Sequence, residues 1–263
     1  MKHLLHFHEA VGSLDVRQFS KAFPLFQSFA RSEFEAPPLS LLLGEARVLG
    51  DWARGARENG RIASAHDGAG HKVVILPGFM VAETRMELLR HTLNLAGYRA
   101  FGWGLGRNLG VTADMIERLD ARLDEIDREV DGQATLVGWS LGGLIAREYA
   151  KHAPHRVARV VTMGSPFSGN PRANNAWRLY EWVTKHAVDA PPVDARLAEK
   201  PPVPTYALWS RRDGIVAPAS ARGLPGEVDH SLEVDCSHLA FACAPEAVTA
   251  VLGILSQPVV RFN

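Results

Sequence analysis

The sequence contains no long apolar run, no excess of either charge and very little cysteine. No stretch of about 18 apolar residues occurs, so the sequence predicts no transmembrane segment. Lysine plus arginine and aspartate plus glutamate number 29 each, so the formal net charge is zero and no overall field exists to hold a nucleic acid. We therefore expect no nucleic acid among the partners.

The only two cysteines are Cys236 and Cys243. Two cysteines cannot supply the disulfide framework of a small secreted domain, although one bridge between them is possible. The N-terminal sequence MKHLLHFHEAVGSLD is too short and too polar for the apolar part of a signal peptide. These features favour a cytoplasmic protein with free thiols.

The length and composition indicate one main domain preceded by a helical arm. Apolar residues make up 46% of the 263 residues and charged residues 22%, the balance of a globular protein with a continuous core. Residues 1–70 are expected to form an N-terminal helical arm and linker, with the linker at the polar, glycine-dotted residues 55–70. Residues 71–263 are expected to form the main domain.

One predicted helix of the arm has an apolar face. Leucines and alanines recur there at helical spacing, at Leu39, Leu42, Leu43, Ala46, Leu49 and Ala53. Two interpretations stay open. The face packs on the main domain, or it contacts a second copy, as a homodimer, or a membrane surface.

From residue 72 onwards the apolar pattern alternates between strands and helices. Short apolar runs predict strands at residues 73–76, 98–103, 134–138, 157–163, 205–210 and 231–236. Amphipathic segments predict helices at residues 83–95, 112–130, 140–152 and 244–256. Residues 165–204 interrupt this alternation of strands and helices, which predicts an inserted cap there. The alternation is typical of a parallel α/β architecture.

A nucleophile motif lies between the third of these strands and the helix that follows it. Residues 138–142 match G-x-S-x-G, which places Ser140 in a sharp strand-to-helix turn with its hydroxyl at the carboxyl edge of the sheet. The helix beginning there directs free N–H groups toward the same edge, so the Leu141 N–H is a candidate oxyanion donor.

A serine nucleophile needs a general base, and the base needs an orienting acceptor. Asp213 and His238 each follow a predicted strand, and the order Ser140, Asp213, His238 is the chain order that this architecture uses. The competing groups are expected to lie inside a strand, at the opposite edge or at a helix end: Asp235, His230, His152 and His155.

The loop after the first strand of the main domain is the expected source of a second oxyanion donor. Phe79 N–H is the first candidate and Met80 the second. Residues 102–110 do not meet the spacing of a dinucleotide fingerprint, and Arg107 and Asn108 either line the pocket or hold the loop together. No metal-ligand motif occurs, so we expect neither a metal nor a cofactor.

Three tryptophans are candidate substrate contacts. Trp139 is next to the nucleophile, and Trp177 and Trp182 flank the apolar stripe of a predicted helix in the cap. The alternative is that the cap aromatics complete the core.

The motifs LPGF, GWSLGG, TMGSPFSG, SRRDGIV and CSHLAF together resemble the α/β-hydrolase superfamily, specifically its bacterial lipase and esterase branch, over residues 72–256. The resemblance implies a mostly parallel sheet with helices on both faces. It also implies a serine carboxylester hydrolase with Ser140 as nucleophile, Asp213 and His238 as its charge partners, and Phe79 and Leu141 as the oxyanion hole.

No cofactor is implied, and the substrate is expected to be a small-molecule ester with an apolar acyl chain. Two alternatives stay open. An acyltransferase would use the same acyl-enzyme, and a non-catalytic binding protein would use the same fold.

Overall fold

The computed structural model describes residues 35–170, 172–184, 187 and 195–259. Its strands are β1 (Lys72–Leu76), β2 (Arg99–Gly102), β3 (Ala134–Trp139), β4 (Val157–Met163), β5 (Thr205–Trp209) and β6 (His230–Glu233). They form one sheet in the order β2-β1-β3-β4-β5-β6, with every neighbouring pair parallel. The predicted parallel architecture is confirmed, and β4 has the predicted bounds.

Helices cover both faces of this sheet. They are α1 (Leu39–Gly44), α2 (Val48–Ser64), α3 (Glu87–Leu95), α4 (Met115–Asp127), α5 (Leu141–His152), α6 (Trp177–Thr184), α7 (Pro218–Arg222) and α8 (Pro245–Leu255). Helices α2, α3 and α8 pack on one face, and α4 and α5 pack on the other. Because both faces are covered, every residue of β1, β3, β4 and β5 is buried. This is the α/β-hydrolase fold.

The expected cap insertion is confirmed between β4 and β5, where it carries α6. Its returning segment is held by Arg147 of α5, a buried side chain that donates to the backbone oxygens of Leu197 (3.3 Å) and Glu199 (3.2 Å). The same guanidinium lies 4.1 Å from the centre of the Phe167 ring. The cap therefore has a fixed attachment to helix α5.

The arm departs from expectation, because α2 continues to Ser64 through the residues interpreted as a linker. The prediction of a linker at residues 55–64 is wrong. Gly55 faces the main domain so closely that a Cβ atom there would lie 2.0 Å from the Cys243 oxygen. Arg54 also pairs with Glu246 of α8 at 2.9 Å. The glycine permits close helix packing, and the polar residues belong to the outer side of a half-covered helix.

The leucine face of the arm is exposed. Leu39, Leu43 and Leu49 are 72%, 81% and 76% exposed, so the interpretation that this face packs on the main domain is wrong within the described residues. The residues that do pack include Glu45, Val48 and Ile62. Contact with a second copy or a membrane surface stays a prediction. Within the described ranges, no helix has the length and apolar content needed to cross a bilayer.

Candidate active site

Ser140 occupies a strained turn between β3 and α5. Its φ of 53° and ψ of −120° lie outside the regions that L-residues prefer, and its N–H donates to the Met163 oxygen at 2.8 Å. The turn is tight enough that a Cβ atom at Gly138 would lie 2.4 Å from the Gly142 oxygen. The G-x-S-x-G pattern therefore has a steric cause, and the serine side chain lines a cavity at the carboxyl edge of the sheet.

The acid and the base meet at the same edge. His238 Nδ1 lies 2.7 Å from Asp213 Oδ2, and both side chains are buried. The other carboxylate oxygen of Asp213 accepts the N–H groups of Ile215 (2.9 Å) and Val216 (2.7 Å). Because a carboxylate only accepts, Nδ1 carries the proton of a neutral ring, which leaves Nε2 as the basic nitrogen.

No hydrogen bond joins Ser140 to His238 among the described residues. Both residues follow parallel strands at the same edge of the sheet, and the ring of Trp139, the residue before the serine, lies 5.8 Å from the imidazole centre. Catalytic hydrogen bonds often tighten only when substrate is bound.

The electrostatic environment of His238 favours its protonated form. Burial acts to lower the pKa of this imidazole, but the charges of Asp213 and Glu45 and the hydrogen bond that the ring donates to Asp213 outweigh burial and raise the pKa above its usual value. If the ring takes a proton from the serine, the two carboxylates stabilise the imidazolium that forms.

The backbone of the loop after β1 distinguishes between the two oxyanion candidates. Met80 N–H already donates to the Asn108 oxygen at 2.7 Å, whereas Phe79 N–H and Leu141 N–H have no acceptor among the described residues. Asn108 Nδ2 donates to the Pro77 oxygen and Arg107 donates to the Met80 oxygen, each at 2.8 Å. These two side chains therefore hold the loop together, which was one of the two interpretations.

The cavity beside Ser140 has a volume of about 470 Å³ and mostly apolar walls. Helices α4, α5 and α6 and the loop after β1 supply those walls, including Phe79, Met115, Leu144, Ile145, Trp177 and Tyr180. Phe79 and Tyr180 pack with their ring centres 5.2 Å apart. Charged groups line another part of the cavity, at Glu148, Lys151 and Arg196.

The three tryptophans differ in their positions. Trp177 lines the cavity, as expected for a substrate contact. Trp139 does not line it: the side chain is 2% exposed and lies in the core on the opposite face of the sheet, because successive residues of a strand alternate in direction. Its expected substrate contact is therefore corrected to packing beside His238. The side chain of Trp182 lies outside the described part of the structure.

Of the competing titratable groups, Asp235 and His230 lie away from this arrangement, whereas His152, the last residue of α5, lines the cavity beside Ser140. Asp235 follows β6 instead of lying inside it, and it forms a surface ion pair with Arg212 at 2.8 Å. His230 begins β6 and stacks on Tyr206. Cys236 and Cys243 are buried and unbridged, and burial raises the pKa of both thiols. Within the described part of the chain, no group of three metal-ligating side chains occurs.

Sequence reasoning missed Glu45, a buried carboxylate of the arm that contacts the loops of Asp213 and His238. Its partners are three backbone N–H groups 169, 193 and 194 positions away in the chain. The available signal was weak, namely a charged residue within the apolar spacing of the arm.

Comparisons with known proteins agree with the fold. A family model described as alpha/beta hydrolase fold matches residues 76–192. The chain is similar to the pimeloyl-(acyl-carrier protein) methyl ester esterase of Photobacterium profundum, with 42% identity over 77 residues that make up 28% of each chain. The protein of the same name from Aliivibrio salmonicida is 30% identical over 123 residues, 43% of this chain and 42% of that one.

The chain spans from a tenth to about two fifths of the length of the first curated relatives it matches. Among solved structures, the monoacylglycerol lipase of Paleococcus ferrophilus is similar with a TM-score of 0.53 and 19% identity, over 71% of this chain and 96% of that one. That likeness is one of fold. Together, the family model and the fold confirm the resemblance to the α/β-hydrolase superfamily.

Proposed function

We propose that this protein, whose fold is that of the α/β hydrolases, is a serine carboxylester hydrolase that works through an acyl-serine intermediate. The observation that carries the proposal is the buried His238–Asp213 pair, joined at 2.7 Å, at the same sheet edge as the strained Ser140. An orienting carboxylate, a base and a nucleophile in a cavity are the groups that acyl transfer requires.

In the proposed reaction, His238 Nε2 takes the hydroxyl proton while Ser140 Oγ attacks the ester carbonyl. Phe79 N–H and Leu141 N–H, the two donors without acceptors, stabilise the negative charge on the carbonyl oxygen. The imidazolium then returns the proton to the leaving alcohol, and water activated by the same ring releases the acid. The residues need no cofactor for these steps.

The walls of the cavity support an acyl chain as the main recognised group. Apolar and aromatic side chains from three helices and one loop line the same cavity as the serine, so a hydrocarbon chain would bury its surface there. The similarity to methyl ester esterases of acyl-carrier-protein substrates, over part of their length, also supports an ester of an acyl chain. We further propose a cytoplasmic location, which the two free, buried thiols support.

Substitution of the nucleophile tests this function. We expect Ser140→Ala to lower ester turnover by about three orders of magnitude or more, because the covalent path is lost, with little change in the thermal midpoint. The assay is hydrolysis of p-nitrophenyl esters together with labelling by a fluorophosphonate, located by mass spectrometry.

Ser165→Ala is the matched control, since Ser165 is another buried serine at a strand end. The labelled peptide should contain Ser140 in the wild type and in Ser165→Ala. A Ser140→Ala variant that keeps a tenth of the wild-type activity would refute the proposal. Recovery of an ester in place of free acid, when an alcohol is added, would identify acyl transfer instead.

A further inference from the structure

Glu45 is a buried carboxylate in the short turn between α1 and α2. It is 5% exposed, and it accepts three backbone hydrogen bonds. Oε1 accepts from Gly214 N–H at 2.8 Å and from His238 N–H at 2.9 Å, and Oε2 accepts from Leu239 N–H at 2.8 Å. No arginine or lysine pairs with it among the described residues, so the backbone amides compensate for its desolvation.

The three donors belong to two different loops. Gly214 follows the acid Asp213 in the loop after β5, and the other two are His238 itself and its neighbour Leu239. A single oxygen that accepts from Gly214 and from His238 fixes the distance between these loops. The hydrogen bond between the Asp213 and His238 side chains spans the same gap.

A second contact holds the arm against the acid loop. Asn175 Nδ2 donates both to the Pro37 oxygen (3.0 Å) and to the Gly214 oxygen (2.7 Å). The approach is so close that a Cβ atom at Gly214 would lie 2.4 Å from the Leu41 oxygen. The arm is therefore fixed against the loop at the point where Glu45 enters.

We propose that Glu45 is a positioning residue for the hydrolytic reaction. Its carboxylate holds the loop of Asp213 and the loop of His238 at the separation that the hydrogen bond between these two side chains requires. The proposal rests on the proposed function. It makes the N-terminal arm part of the catalytic unit, although Glu45 does not line the cavity beside Ser140.

The charge of Glu45 affects the pH dependence of kcat/KM, which a purely structural role would leave unchanged. Two carboxylates face the imidazole, those of Asp213 and Glu45, and both act to raise the pKa of His238. The other titratable groups near the two loops are two buried neutral thiols, Cys236 and Cys243, and the charged side chains that line the cavity beside them: Arg47, Asp51, Arg54, Arg212, Asp235 and Glu246. Removal of the Glu45 charge should therefore move the acid limb of kcat/KM to lower pH.

The test compares Glu45→Gln, Glu45→Asp and Glu246→Gln in the full chain. Glu45→Gln removes the charge and places an amide donor against one of the N–H groups, and we expect kcat to fall about tenfold with KM little changed, because a small misplacement of the base is costly. We also expect its acid limb to shift to lower pH. Glu45→Asp keeps the charge and should restore the position of the limb while kcat stays reduced.

Glu246→Gln is the matched control, because it makes the same chemical change in the Arg54 pair that ties α2 to α8. Its kcat and acid limb should stay at the wild-type values. A Glu45→Gln variant with wild-type kcat and an unshifted limb would overturn the proposal, even if its melting temperature fell. If Glu45→Gln does not fold, Glu45→Asp decides, since wild-type kcat in that variant overturns the positioning role.

Failure of the proposed function gives a different result. A wild type that is not labelled at Ser140 by a fluorophosphonate refutes the hydrolase. The pH titration of the His238 ring, followed by NMR in the wild type and in Glu45→Gln, would still show whether Glu45 acts on the imidazole.

Discussion

Removal of the Trp177 ring should change which esters are hydrolysed. Trp177 begins α6, is partly buried and lines the cavity beside Ser140. The guanidinium groups of Arg172 and Arg178 lie 5.3 and 5.0 Å from the centre of its ring. The ring therefore has its own anchors on the cap, and the surface it turns to the cavity is available to an acyl chain.

The size of the effect follows from the area that one ring covers. A methylene group gains about 0.8 kcal/mol when it is buried, and one ring at the cavity wall covers only a few methylenes. Trp177→Ala should therefore cost a long acyl chain about 1–3 kcal/mol of transition-state binding and an acetyl group almost nothing. We expect kcat/KM for the long chain to fall about tenfold more than for acetate.

The assay is a series of p-nitrophenyl esters from acetate to a long acyl chain, measured with the wild type, Trp177→Ala and Leu179→Ala. Leu179 is the matched control, because it lies on the same helix, is 48% exposed and does not line the cavity. Leu179→Ala should leave the ratio of long-chain to acetate kcat/KM unchanged. Thermal unfolding of all three proteins separates a loss of substrate contact from a loss of stability.

Equal loss on both esters in Trp177→Ala, together with a lower melting temperature, would refute the reasoning. The ring would then complete the core, which was the alternative at the sequence level. A change of the same size in Leu179→Ala would also refute it, because the effect would then belong to the stability of α6.

Two further changes test the acid and the attachment of the cap. Asp213→Asn should lower kcat by about three to four orders of magnitude and move the acid limb of kcat/KM to lower pH, because the charge that raises the pKa of His238 and stabilises its imidazolium is lost. Asp235→Asn should stay near wild type in both measurements. A larger loss of kcat in Asp235→Asn than in Asp213→Asn would show that the acid is wrongly assigned. Arg147→Met should lower the free energy of unfolding, measured by chemical denaturation, by about 3 kcal/mol, because several buried carbonyl groups lose their hydrogen-bond donor. An unchanged free energy of unfolding would contradict the role of Arg147 in attaching the cap.

The sequence predicted the features of this fold that depend on local pattern. Strands β1, β3, β4 and β5 are fully buried and read as short apolar runs, and all six strands were predicted with errors of a few residues at their ends. The bounds of β6 were the least accurate, because only four residues pair there and the apolar pattern continues past Glu233 into the histidine loop. The positions of Ser140, Asp213 and His238 followed from the strand ends, since parallel strands bring all their carboxyl ends to one edge.

Other features depend on contacts that no local pattern records. The composition of residues 55–64 suits a linker and the outer face of a helix equally well, and only the fit of Gly55 against the Cys243 oxygen distinguishes the two. For the same reason, the spacing of Leu39, Leu43 and Leu49 predicted helical structure, which the turn at Glu45–Arg47 divides into α1 and α2, but gave the wrong covered face. The covered side there carries Glu45, whose carboxylate oxygens accept hydrogen bonds from main-chain N–H groups. Every residue except proline has such a group, so no sequence pattern marks these partners.

That last contact bears on where a functional unit of this chain begins. A boundary after residue 70, drawn from composition, separates Glu45 from the N–H groups of Gly214, His238 and Leu239. Each donor left buried without an acceptor costs about 1–3 kcal/mol, and marginal stabilities of about 5–15 kcal/mol leave little to compensate for three of them. The two catalytic loops would relax until water reached these amides, and the base and the acid would move with them. We therefore include the arm in the proposed catalytic unit, by the same physical argument that places the carboxylate of Asp213 behind the imidazole.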